Sequence, residues 1–121
     1  MSAKDVEKYC PDLLWEIAEP LVPEPPRRHQ GGGRRRTVGP RQVLAALIYM
    51  ARAGCSWREL PVAMFGVTRP TGHRRLTQWT EAGFFDRLHQ AILDRLGRSG
   101  QLRWERAAID SMSVRAKRGV N

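Results

Sequence analysis

Apolar residues recur at helical spacing along most of the chain. Leu13, Leu14, Ile17 and Leu21, with Trp15 beside them, predict a helix over 5–20, which Pro20, Pro23, Pro25 and Pro26 bring to an end. Residues 40–53 carry the clearest pattern. Val43, Leu44, Leu47, Ile48 and Ala51 form one stripe, Pro40 suits the first turn and Gly54 suits the stop. Ser56-Trp57-Arg58-Glu59 has the capping-box pattern and predicts a further helix, which Pro61 kinks or shortens and Gly66 closes. Thr68 caps a third helix running to about Ala82, with Pro70 in its first turn and Gly83 after it. A fourth helix spans roughly 84–96, with Phe85, Leu88, Ile92 and Leu96 on one face. The last element differs. Ala107-Ala108-Ile109 is a short apolar run ending in the carboxylate of Asp110 and then in hydroxyl residues. That pattern predicts a buried strand over 104–110 delivering an aspartate to a sheet edge.

The expected architecture is therefore mostly α: a helical domain of helix-turn-helix type followed by one orphan β-strand. It divides into an N-terminal helix with its proline-rich end (1–26), a basic Gly/Arg arm (27–39), the helical domain (40–98) and the strand segment (103–121). A chain of 121 residues can bury one modest core.

Charge sharpens the picture. The chain holds 21 Lys+Arg against 12 Asp+Glu, net +9. Residues 1–26 are net −4, whereas residues 27–58 hold eight Arg and no acidic residue. Eighteen of the basic residues are Arg, the better fork for phosphates and guanine edges. Such a localised block calls for an anionic partner or a solvated segment. Cys10 and Cys55 stand alone and read as small buried apolar residues. With no targeting pattern and no apolar run of membrane length, the expected location is the cytoplasm and no membrane partner is expected.

On a wheel of 100° per residue, Gly72, Leu76, Trp79 and Gly83 cluster on one side of the third helix. Thr71, Arg74 and Gln78 lie opposite, Arg75 and Thr77 flank them, and His73 falls nearer the buried side. That outward face has the donors and acceptors that base edges and phosphates need. Arg74 and Arg75 also suit a merely solvated face; the basic arm and the capped helix before them favour double-stranded DNA. Arg34, Arg35 and Arg36, after three glycines, read either as a minor-groove arm or as a linker adding non-specific phosphate attraction. The carboxylates Glu81, Asp86 and Asp94 read as solvated, and His29, His73 and His89 lack metal-ligand spacing. There is no phosphate-binding glycine loop and no nucleophile elbow.

Taken in order, several segments carry a resemblance. They are Trp15-Glu16-Ile17-Ala18-Glu19-Pro20-Leu21-Val22-Pro23, Val43-Leu44-Ala45-Ala46-Leu47-Ile48-Tyr49 and Gly54-Cys55-Ser56-Trp57-Arg58-Glu59-Leu60-Pro61. They continue with His73-Arg74-Arg75-Leu76-Thr77-Gln78-Trp79, Gly83-Phe84-Phe85-Asp86 and Asp110-Ser111-Met112-Ser113-Val114-Arg115-Ala116. The chain resembles the N-terminal part of bacterial insertion-sequence transposases of the DDE type, often encoded in two overlapping frames. Gly72 departs from the branched apolar residue expected there.

The resemblance implies that Asp110 matches the first acidic residue of a catalytic triad, on the first strand of an RNase-H-like domain, where it would bind Mg²⁺ in a full-length enzyme. Two-metal phosphoryl chemistry needs several hard oxygen ligands converging from separate strands, so one aspartate supports no catalysis alone. The implied partners are the element's terminal repeats and a downstream catalytic part or full-length transposase, with a homodimer also allowed. The rival reading is a stand-alone helix-turn-helix repressor or inhibitor of transposition; an inactive remnant is a third.

Overall fold

The computed structural model describes residues 3–23, 39–97 and 99–117. The basic arm, with Arg34, Arg35, Arg36 and His29, lies outside the described residues. Among the described residues, seven α-helices follow one another: α1 (Ala3–Tyr9), α2 (Asp12–Ala18), α3 (Pro40–Ala53), α4 (Val62–Phe65), α5 (Arg69–Glu81), α6 (Phe84–Leu96) and α7 (Arg103–Lys117). Single 3₁₀ turns at Glu19–Leu21 and Trp57–Glu59 complete the set, and no strand occurs among the described residues.

The helix α3 is the centre. Val43 through Ile48 are all buried, and α1, α4, α5 and α7 pack around them. A helix apolar on all sides is one enclosed by neighbours. Its start is tied down twice. Arg41 donates to the Cys10 carbonyl (2.7 Å and 3.1 Å) and to Asp12 Oδ1 (2.9 Å). Gln42 accepts from the Gly39 N–H (3.0 Å) and donates to the Phe65 carbonyl (2.9 Å), joining the N-terminus of α3 to α4. Gly54 ends the helix with φ +70°, a left-handed conformation in which a side chain would be strained.

Two aromatic groups organise the periphery. Tyr9, Tyr49 and Phe65 meet at centroid distances of 5.2–5.9 Å, joining α1, α3 and α4. Trp79, Phe84 and Phe85 meet at 4.8–6.2 Å across the α5–α6 turn. Aromatic pairs in these tilted and edge-on geometries add to the stabilisation from burial alone.

The structure corrects three expectations. The helix expected over 5–20 is broken, because Pro11 adopts an extended backbone (ψ 161°) between α1 and α2. The apolar face runs through the break, since Val6, Cys10, Leu14 and Ile17 are all buried. The helix expected from Ser56 is one 3₁₀ turn. Glu59 Oε1 accepts from the Ser56 N–H (2.9 Å) as the capping pattern implies, but Pro61 prevents continuation and only the four-residue α4 follows.

The third correction is the largest: residues 104–110 are not a strand but the first half of α7. Ala108, Ile109 and Met112 are buried together against the core, a helical spacing, while Trp104, Ala107, Asp110 and Ser111 face outward. Helix formers surround Ile109, and α7 satisfies its backbone groups internally, as a lone strand could not. The helix α7 packs on α3, α5 and α6 and shares their core.

Candidate nucleic-acid interface

Of the residues singled out as DNA-facing, Thr71, Arg74, Arg75, Thr77 and Gln78 lie on α5, and Arg34, Arg35 and Arg36 lie outside the described residues. Thr68 precedes the helix in an extended conformation (φ −86°, ψ 162°), and its hydroxyl meets that of Thr71 at 3.2 Å. The orientation of α5 is set at both ends. Gly72 is buried beneath the Trp57 ring near the start, and Trp79 is buried among Phe84 and Phe85 near the end. His73 is half-buried, its ring tilted against Trp57 at 5.7 Å, in keeping with its placement nearer the buried side.

With that face fixed, the opposite one is turned to solvent. Arg74 and Thr77 are exposed; Thr71, Arg75 and Gln78 are half-buried on either side of them. Thr77 Oγ1 donates to the His73 carbonyl (3.1 Å), which leaves the oxygen as an acceptor. Burial lowers the basicity of Arg75, and the neighbouring charge of Arg74 lowers it further. A guanidinium nevertheless stays charged at physiological pH. The face therefore offers the Arg74 fork, an amide and hydroxyls within about two helical turns.

Two arginines of the basic block already have partners within the fold. Arg41 is held by Cys10 and Asp12. Arg52 lies over the rings of Tyr9 (5.5 Å) and Trp104 (5.7 Å). Farther along, Arg95 pairs with Glu16 at 2.7 Å and braces α6 against α2.

Asp110 is separate from this face. Its side chain is exposed on α7 and lines a polar cleft of about 370 Å³ between α6 and α7, together with His89, Ser99, Arg103 and Arg106. No group of three or more His, Cys, Asp or Glu side chains able to hold a metal ion occurs among the described residues. One carboxylate beside two guanidiniums is not a Mg²⁺ donor set. Arg103 and Arg106 were not singled out from the sequence. At i and i+3 they share a side of a helix, but on the strand expected there they would face opposite ways.

Glu81, Asp86 and Asp94 are exposed, as expected. Cys10 is fully buried, and burial pushes its thiol up to about 12. Cys55 is only half-buried, with its thiol raised by desolvation and by the nearby charge of Glu59. No helix among the described residues is long and apolar enough to cross a membrane.

The order of elements and the α5 face can now be set beside known proteins. Residues 11–89, from the break before α2 to the middle of α6, match the family described as "Putative transposase of IS4/5 family (DUF4096)". The chain belongs to this transposase family. It is similar to the insertion element IS402 uncharacterized 16.2 kDa protein of Burkholderia cepacia, at 42% identity over 106 residues, covering 87% of this chain and 71% of that protein. It is also similar to the uncharacterized protein y4sN of Sinorhizobium fredii, at 37% identity over 109 residues, covering 87% of this chain and 74% of that protein. No solved structure matches the chain. The family match spans all of α5, whereas α7 lies beyond it.

Proposed function

We propose that this chain supplies the DNA-binding function of an insertion-element transposase, with α5 as the helix that reads the element's terminal repeats. The single observation carrying this reading is the division of α5 into two faces. Gly72 and Trp79 lock one face to the core, and Arg74, Thr77 and Gln78 occupy the other. A basic, hydroxyl-bearing helix preceded by a short helix and a glycine turn has the form of a recognition helix in a helix-turn-helix unit. Membership of a transposase family supports the same reading. Mg²⁺ and strand cleavage belong, in this proposal, to the acidic ligands of a transposase's catalytic part.

The rival, a stand-alone repressor or inhibitor of transposition, draws on one observation. Because α7 packs into the same core as α3, α5 and α6, Asp110 sits on a self-contained helical unit. The two are separated by measuring binding to element-end duplex, then strand cleavage after joining this chain to the DNA-encoded segment downstream of its gene. Binding together with cleavage supports the transposase reading. Binding without cleavage, with the downstream acidic residues present, supports the repressor.

A further inference from the structure

The cleft between α6 and α7 is not used by the α5 face. Its walls hold several hydrogen-bond donors. Arg103 and Arg106 come from the first turns of α7, His89 from α6, and Ser99 and Gly100 from the connection between them. Ser99 Oγ already accepts from the Gln101 N–H (3.3 Å), so its hydroxyl proton is left to donate. Arg106 Nε is buried without a hydrogen-bond partner among the described residues. A buried N–H left unpaired is costly, and buried polar groups are nearly always satisfied by protein, water or ligand. Arg106 lines the cleft through other atoms, its Nε being closed to solvent.

The chemistry of the walls selects the ligand. Ligand pockets for apolar molecules are lined mainly by apolar side chains, and this one is not. Two guanidiniums, an imidazole and a hydroxyl converging at the N-terminal end of a 15-residue helix suit a tetrahedral oxyanion. Asp110 lines the same cleft and opposes an anion. Two guanidiniums set against one carboxylate leave the walls net positive before His89 is counted, enough for a phosphodiester, which bears a single negative charge.

We infer that the α6–α7 cleft holds one backbone phosphate of bound duplex DNA, a sequence-blind anchor separate from the α5 face. This inference rests on the DNA-binding reading above. It assigns Arg103 and Arg106 to the phosphate and makes Asp110 a charge that weakens the contact.

The test uses the full chain and two duplexes, element-end and unrelated, with salt titration of binding. The double variant Arg103→Gln/Arg106→Gln should lose affinity by about one order of magnitude for both duplexes. The slope of log K against log salt should become shallower by about 0.9, the value for one phosphate. Asp110→Asn, an exposed substitution with little bearing on folding, should raise affinity for both duplexes several-fold. If the wild-type chain binds DNA but Asp110→Asn fails to tighten it, the cleft assignment is overturned while the α5 reading stands. An unchanged salt slope in a folded Arg103→Gln/Arg106→Gln chain has the same consequence. If the wild-type chain binds neither duplex at low salt, the DNA-binding reading and the cleft assignment fall together.

Discussion

The indole of Trp57 lies directly against the α-carbon of Gly72. A Cβ added at Gly72 would overlap Trp57 Cζ3, come within 2.9 Å of Cη2 and reach Val67 Cγ1 at 3.2 Å. Glycine inside a helix costs up to about 1 kcal/mol relative to alanine, so a replacement is favoured by propensity alone. Overpacking against an aromatic ring costs about 1–3 kcal/mol, and that term is the larger. Gly72→Val should therefore lower the melting temperature, and Gly72→Ala should do so more mildly. The penalty of Gly72→Val should shrink in a Trp57→Ala background, which a double-mutant melting cycle measures. Additive effects would show that the ring does not set the packing at Gly72.

Trp79 is only 2% exposed and joins α5 to Phe84 and Phe85. Truncating a buried aromatic of this kind costs about 3–5 kcal/mol, a large share of the stability of a small domain. Trp79→Ala should unfold the chain or melt it far below the wild type. Unchanged melting combined with lost DNA binding would instead place Trp79 at the DNA.

The two cysteines should behave differently. The Cys10 thiol is buried and pushed up to about 12, so alkylation should reach it only on unfolding, while half-buried Cys55 reacts in the native chain. Native folding favours the neutral Cys10 thiol. Its contribution to stability is complete below the ordinary thiol value of 9.0 and is lost as pH rises from there towards about 12. Cys10→Ala should remove that part of the alkaline loss, measurable by denaturant titration across this range. Equal alkylation rates for the two native thiols would contradict the buried placement.

Asp110 should not support chemistry in this chain alone. It faces Arg103 and Arg106 in the cleft, and no metal-capable cluster occurs among the described residues. Added Mg²⁺ should leave the melting temperature unchanged and produce no nicking of supercoiled DNA. Metal-dependent nicking that disappears in Asp110→Ala would overturn this.

What could be read from the sequence follows from how local each signal is. The boundaries of α3 and α6 are written by stripes, prolines and glycines within the elements themselves. So is the split of α5 into two sides, with Gly72 and Trp79 buried and Arg74 exposed, although Thr77 is exposed where a flank was expected and Thr71 and Gln78 are half-buried where an outward face was expected. The break at Pro11 was hidden because the apolar face continues across it, from Val6 and Cys10 to Leu14 and Ile17. The helix α7 was hidden because its apolar residues sit almost together. Ala108-Ile109 suits a strand, and only Met112 restores the helical period. Gly72 was unexplained because its partner lies 15 residues upstream, in a turn whose position no local pattern gives. The α6–α7 cleft needed two helices and their connection to be in place before Arg103 and Arg106 could be seen to share it with His89.

The central claim is that α5 reads DNA, and the most direct measurement compares Arg74→Ala and Gln78→Ala with the wild-type chain on element-end and unrelated duplexes. With about five phosphates neutralised, the wild-type slope of log K against log salt should lie near −4.5. Each substitution should reduce discrimination between the duplexes, by roughly 1–3 kcal/mol where a base edge is contacted, with little change on unrelated DNA. Discrimination that survives both substitutions, or a wild-type chain whose binding is indifferent to salt, would contradict the account.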